Sequence, residues 1–250
     1  MLFIGLDLAW SPRNRTGAAI LRDNRLIAHT GLLTSNEAIL AFVAPYLAQG
    51  EPAVIGVDAP LRVPNLTGAR ACDQALSADW RRFEAGALPA NRRLLAFDGE
   101  VRGEQLVALL APHYGFIETA PIPKQAAGRF IGEIFPHPAH IHFFGLDKTL
   151  KYKAHPGRSP DRRLAEFVRY QQLLGTLQNA VFPLSGTAEV LAVALASLRG
   201  RALKAYEDTL DAITCAYTVA YLWHYGPDFT KVYGTVADGH IMTPLPRWPK

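Results

Sequence analysis

Apolar positions in the first part of the chain form short runs that are separated by turn residues. The run at 2–9 and the two runs at 16–22 and 25–33 are typical of β-strands. Asp23 and Asn24, between the second and third runs, tolerate the positive φ that a tight hairpin needs. The pattern therefore predicts a strand that is followed by a β-hairpin.

The pattern changes to helical periodicity at 35–48, with Ser35 as the N-cap and with Ile39 and Val43 on the apolar face. The next segment, AVIGVD at 53–58, is apolar up to its terminal aspartate, which is typical of a central strand buried on both faces. Strand, hairpin, helix and buried strand in this order predict an α/β domain with a mixed sheet, whose later strands are reached by helical crossovers.

The rest of the chain is less regular. Residues 61–97 are rich in Pro, Gly and Arg, and with a helical stretch at 101–111 they predict a cap or lid inserted at 61–115 within one domain over 1–250. The remaining pattern predicts a strand at 128–135, helices at 137–145, 161–174, 186–198 and 201–225, an exposed polar loop at 147–160, a last strand at 231–237 and a Pro-rich surface tail.

Composition supports a folded protein and sets weak limits on its partners. The chain has 250 residues, of which 49% are hydrophobic and 19% are charged, enough for one large domain with a buried core. Its net charge of +4 is compatible with a polyanion such as nucleic acid or a nucleotide, but does not require one. The inserted segment could serve as a lid or as a dimer arm, so a homodimer is also compatible with the sequence.

The two cysteines, Cys72 and Cys215, are too few for a disulfide framework, and neither has a second Cys or a His at zinc-ligand spacing. This favours a reducing compartment. We find no basic, apolar leader at the N-terminus and no apolar stretch long enough to cross a bilayer. We therefore expect a cytoplasmic protein without a membrane-spanning segment.

Five acidic residues stand out by their positions. Asp7 lies in the first predicted strand, Asp58 ends the buried strand, and Glu133 interrupts the strand FIGEIF. Asp208 and Asp211 are three residues apart and so share one face of the last long helix. A carboxylate in a buried strand is costly unless its charge is compensated, and Mg²⁺ or Mn²⁺ would compensate it with oxygen ligands. Two such ions, about 4 Å apart, can stabilise a phosphodiester displacement.

A simpler interpretation is open for each acid alone, since Asp58 can cap a turn and the helical pair can be solvated. The set is harder to explain in that way. Asp211 lies beside small apolar residues that favour close packing on a sheet, namely Ala212, Ile213 and Ala216.

The segments IGLDLAW, VIGVDAPLRVPN, GARACDQAL, GEIFPHPA and EDTLDAITCAY resemble the family called domain of unknown function 429, over about residues 2–240. Members of this family are described as predicted ribonuclease H-like nucleases. The resemblance implies a ribonuclease H-like mixed five-stranded sheet, flanked by helices, with a large helical insertion after the fourth strand.

The RuvC-like branch of that fold is similar in the placement of its acids. It has one acid on the first strand, one at the end of the fourth strand, and two that are three residues apart on a late helix. The resemblance thus assigns Asp7, Asp58, Asp208 and Asp211 as ligands of Mg²⁺ or Mn²⁺ in a two-metal site. Glu133 matches a family acid on a later strand and is an additional catalytic candidate.

Several other residues are candidates for substrate binding, each with a structural alternative. Trp10 could stack on a base or simply pack. Three residues that follow Asp58 could contact phosphate or pair with acids of the insertion, and they are Arg62, Asn65 and Arg70. His137 could act as a general acid–base group or be structural. Lys151 and Lys153 could bind a backbone phosphate or belong to a solvated loop.

The leading hypothesis is a divalent-metal-dependent nuclease or phosphodiesterase with water as the nucleophile. One alternative is a protein that binds or hydrolyses a nucleotide or another small phosphorylated ligand. A second alternative is a non-catalytic binding domain. The sequence contains neither a GxxxxGK[ST] loop nor a GxGxxG segment after a strand, so phosphate binding by a glycine loop has no support.

Overall fold

The structure is a computed structural model that describes residues 1–246, except for positions 12 and 49. The strands are β1 (Leu2–Asp7), β2 (Thr16–Arg22), β3 (Arg25–Leu33), β4 (Ala53–Val57), β5 (Ala96–Phe97), β6 (Glu100–Val101), β7 (Ile117–Glu118), β8 (Arg129–Glu133), β9 (Thr230–Thr235) and β10 (Gly239–Pro244). The helices are α1 (Asn36–Leu47), α2 (Ala71–Trp80), α3 (Arg92–Leu95), α4 (Arg102–Tyr114), α5 (Pro136–Phe144), α6 (Pro160–Thr176), α7 (Ala188–Leu191) and α8 (Gly200–Tyr225).

A six-stranded mixed sheet in the order β3-β2-β1-β4-β8-β7 forms the centre of the described chain. The strands β1, β2 and β3 are antiparallel neighbours, and the tight turn between β2 and β3 has Asp23 and Asn24 at positive φ, as predicted. The strands β4, β8 and β7 run parallel to β1. The predicted mixed α/β architecture is confirmed at this level.

The two faces of the sheet bury alternate residues of the strands. Leu2, Ile4 and Leu6 of β1 face an apolar layer that includes α1 and α4. Phe3 faces the opposite layer, whose main element is α8. This alternation follows from the two-residue period of side chains in a strand. The helix α4 thus belongs to a layer that covers the sheet, although it lies within the predicted insertion.

Glycines let α8 approach the sheet unusually closely. A Cβ atom at Gly5 of β1 would lie 2.0 Å from the carbonyl oxygen of Ala212, and one at Gly31 would lie 1.9 Å from that of Ala205. Gly17 and Gly56 are packed against α8 in the same way. Since real Cβ atoms cannot come so near to a backbone oxygen, this spacing between helix and sheet requires glycine.

The sheet differs from the predicted one in its strand count. The additional strand is β7, which pairs with β8 through only two residues, Ile117 and Glu118. A segment of this length carries too little alternation to be recognised in a sequence. The prediction of five strands was therefore wrong.

The helix predicted at 186–198 was also wrong. Only α7 and a separate 3-10 turn at 195–197 form there. The Gln171 side-chain amide donates to the carbonyl oxygen of Val193 at 2.9 Å and to that of Leu191 at 3.4 Å. A helix continuing past α7 would need these carbonyl groups for its own hydrogen bonds, so the contact favours an early end.

The C-terminal region was predicted as one strand and a surface tail, and the first part of that tail is wrong. Its last residues, 247–250, lie outside the described part of the chain. Residues 239–244 form β10, a buried strand that pairs with β9. Met242 of β10 also bridges to Ile134, just beyond β8. The loop predicted at 147–160 lacks helix and strand up to residue 159, where α6 follows, but it is not wholly exposed, since Leu150 and Tyr152 are buried.

Residues 61–101 lie between β4 and α4 and contain α2, α3 and the β5–β6 pair. The helix α2 is joined to the C-terminal hairpin by a hydrogen bond of 2.8 Å from Trp80 Nε1 to the Tyr233 hydroxyl. That this segment acts as a cap or lid stays a prediction. Among the residues described, no helix has the length and apolar character needed to cross a membrane.

We predict that Gly5→Ala destabilises the protein by about 2 kcal/mol or more, because the added methyl group would force α8 away from β1. The measurement is the free energy of unfolding in urea. Gly175→Ala is the control. Gly175 lies within α6, and a Cβ atom there would contact only Leu191 Cδ1, at 3.8 Å. It should leave stability unchanged or raise it by up to about 1 kcal/mol. An equal loss in both variants would contradict the proposed close packing.

Candidate functional site

Parallel strands end at one edge of the sheet, and three of them carry an acidic side chain there. The strands β1 and β8 end at Asp7 and Glu133, and Asp58 directly follows β4. The Asp58 N–H donates to the Leu6 carbonyl oxygen at 2.8 Å, which extends the pairing of β1 with β4. Val57 pairs in turn with Glu133. The three strand acids therefore share one edge of the sheet.

The helix α8 brings Asp208 and Asp211 to the same edge. The carbonyl group of Asp208 lies against Gly17, which is the residue paired with Asp7 across β1 and β2. Both helical carboxylates are buried, with side chains 3% and 0% exposed. The close approach of α8 to the sheet therefore gathers the four acids Asp7, Asp58, Asp208 and Asp211 into one cluster.

Two lysines compensate part of this negative charge. Lys153 Nζ lies 2.9 Å from Asp211 Oδ2, and Lys204 Nζ lies 2.6 Å from Asp208 Oδ1. Lys204 also contacts Glu207 Oε1 at 2.7 Å. The Lys153 ammonium group also opposes the rise in the pKa of Asp7 and of Asp58. Lys153 therefore interacts with the strand carboxylates as well as with Asp211.

The strand acids hold their protons more tightly than ordinary carboxyl groups. Burial raises the pKa of Asp58 to about 7, with repulsion from Asp211 adding to the effect. Burial likewise raises the pKa of Asp7 well above its usual range, and three neighbouring aspartates add repulsion. Asp7 and Asp58 thus keep protons that a divalent cation could displace when it binds.

Asp211 differs from its neighbours because polar groups surround it. Its Oδ1 accepts hydrogen bonds from the hydroxyl groups of Tyr152, at 2.6 Å, and Tyr170, at 3.2 Å. Burial alone would raise its pKa, but the Lys153 ammonium group leads the interactions that lower it to about 2. The His140 Nε2 atom lies 2.9 Å from the Tyr170 hydroxyl and completes the network. Asp211 is therefore a fixed, ionised carboxylate.

Glu133 lies at the same edge but is held by the segment after β4. Arg70 contacts its two carboxylate oxygens at 2.5 and 2.8 Å, and the Leu61 N–H donates to it at 3.0 Å. Arg70 also pairs with Asp73 at 2.8 Å and is itself buried. Of the two alternatives for Arg70, the structure shows the pairing with acids.

The other candidate substrate-binding residues occupy different places. Trp10 and His137 line the cleft beside Asp58, and Trp10 is 38% exposed. His137 contacts the Thr149 hydroxyl at 2.8 Å, and burial lowers its pKa well below the usual range. Lys151 lies at the rim of the cleft and pairs with Glu84 at 2.6 Å.

Arg62 and Asn65 do not line either cleft that contains Asp7. Arg62 pairs with Glu118 at 2.8 Å. The Asn65 side-chain amide donates to the carbonyl oxygens of Ala90, at 3.0 Å, and Thr67, at 3.1 Å. Both residues thus stabilise the inserted segment, and a contact of either one with substrate stays a prediction.

Two clefts open beside the acidic cluster. The first, which we call the cap-side cleft, measures about 480 Å³ and reaches from Asp7 and Asp58 to the inserted segment and the loop that carries Lys153. The second, which we call the helix-side cleft, measures about 540 Å³ and lies between the β1–β2 loop and the start of α8. Asp7 and Ala9 line both.

The residue types of the cluster suit a divalent cation, but the positions of their side chains do not form a metal site. Carboxylate oxygens are the ligands that Mg²⁺ and Mn²⁺ prefer, and Asp208 Oδ2 is buried and accepts no hydrogen bond. Among the residues described, however, no three His, Cys, Asp or Glu side chains are placed to hold a metal ion. Two of the carboxylates contact lysines instead, so metal binding would require side chains of the cluster to rearrange.

Sequence reasoning missed Lys204 and Tyr170. A helical pattern could have indicated Lys204, since it lies four residues before Asp208 on α8 and so shares its face. No sequence signal indicates Tyr170, whose contact with Asp211 joins α6 to α8 across 41 positions.

The fold and site together define an α/β domain with a buried acidic cluster at the carboxyl edge of its parallel strands. Residues 5–227 match the model of the family described as "Protein of unknown function (DUF429)". The chain therefore belongs to this family. No curated protein and no solved structure gives a significant match.

We predict that the free energy of unfolding, measured in the presence of a chelator, decreases between about pH 7 and 8. A carboxyl group with a pKa of about 7 in the folded protein, as for Asp58 and Glu133, and about 4 after unfolding binds more protons when folded. Its protonation stabilises the fold fully below about pH 4, and this contribution is lost as the pH rises through 7.

The buried histidines His137, His140 and His240 have lowered pKa values and give the opposite slope, but mainly below about pH 6.5. Asp58→Asn should make the decrease between pH 7 and 8 shallower. Asp228→Asn, at an exposed acid, should keep it unchanged. A stability that is flat or rises with pH in this window would show that Asp58 and Glu133 are already ionised.

We predict that Lys153→Met destabilises the protein by about 2–4 kcal/mol, because it leaves the fully buried Asp211 carboxylate without its cation. Urea unfolding measures the loss. Lys148→Met is the control, since Lys148 pairs with Glu84 between two half-exposed side chains and should cost at most about 1 kcal/mol. Equal losses would mean that the Lys153–Asp211 pair is solvated.

Proposed function

We propose that this protein has a ribonuclease H-like fold and hydrolyses phosphodiester bonds with the help of a divalent metal ion. The observation that carries the proposal is the gathering of Asp7, Asp58, Asp208 and Asp211 into one buried cluster. Asp7 and Asp58 line the cap-side cleft, and Asp7 and Asp208 line the helix-side cleft. An acid on the first strand, one after the fourth strand and two on a late helix is the arrangement that the resemblance to RuvC-like domains implies.

The charge of the cluster supports a bound cation. Four carboxylates meet two lysines, so full ionisation would leave an excess of negative charge in a buried place. Protons fill this role in the absence of metal, as the raised pKa values of Asp7 and Asp58 indicate. Mg²⁺ or Mn²⁺ would replace them at Asp7, Asp58 and the unpartnered Oδ2 of Asp208.

A bound divalent ion would supply an activated water molecule and would stabilise the charge that develops on the phosphate. The chain itself contributes rigid supports for the ligands. The strand acids are fixed by backbone pairing, and Asp211 is fixed by Tyr152 and Tyr170. Its Lys153 partner, 33% exposed, is near enough to the cleft to contact a substrate phosphate after leaving Asp211.

A second candidate function is the binding or hydrolysis of a nucleotide or of another small phosphorylated molecule. The observation in its favour is the cap-side cleft of about 480 Å³, since this volume is typical of small-molecule sites. Arg158 and Lys151 at its wall are suited to bind phosphate groups.

We predict that the purified protein binds Mn²⁺ and cleaves at least one nucleic-acid form in its presence. Calorimetry measures binding, and labelled single-stranded, duplex, hybrid and branched substrates measure cleavage. Asp7→Asn should weaken Mn²⁺ binding by at least about tenfold and lower cleavage by at least about 100-fold. Asp228→Asn, at an exposed acid, should change neither quantity.

Each measurement can overturn one part of the proposal. If calorimetry detects no Mn²⁺ binding that depends on Asp7, the metal site is wrong. If Mn²⁺ binds but no diester is cleaved, including a small chromogenic diester, the hydrolytic function is wrong. Hydrolysis of mononucleotides without cleavage of any polymer would favour the second candidate function.

A further inference from the structure

The two clefts beside the acidic cluster share part of their lining, and we treat them together as one groove. Asp7 and Ala9 line both, so the proposed reactive centre lies at the junction and not at a closed end. A ligand the size of one nucleotide could occupy the cap-side cleft alone. Only a longer ligand would also occupy the helix-side cleft. The residues that line this cleft therefore indicate the chemistry of such a ligand.

The helix-side cleft is lined by arginines that have no acidic partner. Arg13, Arg15 and Arg201 are exposed there, and none forms an ion pair with a carboxylate of the described chain. Arginines elsewhere do form such pairs, among them Arg22, Arg62, Arg92, Arg163 and Arg169. Others, such as Arg25, Arg81 and Arg93, form none with the described residues but are not gathered in one cleft. The acids that line this cleft are Asp7 and Asp208, both members of the cluster itself.

The start of α8 concentrates further positive charge at the same place. The first turn of α8 has no acidic residue, and no side chain caps its N-terminus. It carries Arg201 instead, although the positive end of a helix dipole disfavours a cation. An anion bound in this cleft would be favoured both by Arg201 and by the positive end of the helix dipole.

The opposite end of the groove offers an aromatic surface and another cation. Trp10 is 38% exposed in the cap-side cleft, next to the strand acids. Arg158 lines the wall of the same cleft and has no acidic partner among the described residues. Cations that follow a groove, with an aromatic ring beside them, are the features that bind single-stranded nucleic acid without sequence preference.

We infer that the substrate is a single strand of nucleic acid that runs through both clefts, with its backbone phosphates on Arg13, Arg15 and Arg201 and a base near Trp10. This inference rests on the proposed function, because it assigns the polymer to the same acidic centre. A lone nucleotide would leave the three arginines unused. A single strand can bend its backbone down to the buried acids between the cleft walls more readily than a rigid duplex can.

The test is oligonucleotide binding in a chelator, measured by fluorescence anisotropy over a range of salt concentrations. The probes are a labelled single strand of about ten nucleotides, the same sequence as a duplex, and a mononucleotide. We expect the single strand to bind most tightly. The triple variant Arg13→Gln/Arg15→Gln/Arg201→Gln should weaken its binding by about 10- to 100-fold and reduce the salt slope by about 2, since each lost phosphate contact lowers that slope by about 0.7.

The matched control is Arg25→Gln/Arg81→Gln/Arg93→Gln, which removes the same charge from arginines that line neither cleft. It should keep wild-type affinity. If both triple variants lose the same affinity for the single strand, the loss is an effect of net charge and the inference is overturned. Mononucleotide or duplex binding as tight as that of the single strand would overturn it too.

Hydrolysis of a small chromogenic diester by the wild-type protein with Mn²⁺ separates the two proposals. If the wild type cleaves this diester but the arginine variant binds the single strand normally, the inferred binding of a strand along the groove is wrong and the proposed function stands. If strand binding depends on the three arginines but wild-type protein cleaves no diester, the groove stands and the hydrolytic function is wrong.

Discussion

The close packing of α8 on the sheet is the constraint on which the candidate site depends. Glycines at Gly5, Gly17 and Gly31 remove the side chains that would otherwise hold the helix away from the strands. Interiors pack too densely to absorb an added methyl group at such a contact without movement. The helix therefore has one register and one depth on the sheet. Asp208 and Asp211 reach the strand acids only because of this depth.

Bringing four carboxylates together creates an electrostatic cost that the protein compensates in two ways. Burial and mutual repulsion keep protons on Asp7 and Asp58, which removes negative charge. Lys153 and Lys204 neutralise the helical pair. Asp211 receives two tyrosine hydroxyl groups in addition and stays ionised. The four acids are thus chemically different, although their side chains are identical.

Glu133 shows how the segment after β4 is tied to the same edge of the sheet. Arg70 is buried between Glu133 and Asp73 and connects the start of α2 to the end of β8. Removing one partner of such a buried group would leave an unpaired charge, so the arrangement is held as a unit. Glu133 lines the cap-side cleft together with Asp7 and Asp58, but its carboxylate is already held by Arg70. The helix-side cleft, at the start of α8, holds Arg13, Arg15 and Arg201, which have no acidic partner among the described residues.

Periodicity along the chain was sufficient for every strand of the central sheet except β7. The strands at 2–9, 16–22, 25–33 and 53–58 and the long helix at 201–225 all form, with ends that differ by a few residues. The apolar runs also identified Asp7 as an acid in a strand and Asp58 as an acid at the end of one. The three-residue spacing put Asp208 and Asp211 on one helix face. These features depend on local geometry, which a sequence pattern reports directly.

Other features depend on contacts between distant segments, and only the tertiary structure decided them. The predicted exposed loop at 147–160 carries Tyr152 and Lys153 into contact with Asp211, and Arg70 pairs with Glu133 across 63 positions. The edge strand β7 is too short to show a pattern, and β10 is buried because β9 pairs with it. A sequence pattern indicates which face of an element is buried, but it does not say what packs there. For this protein, the sequence was sufficient to predict the acidic residues. The lysines, tyrosines and clefts around them were determined by the packing of distant segments.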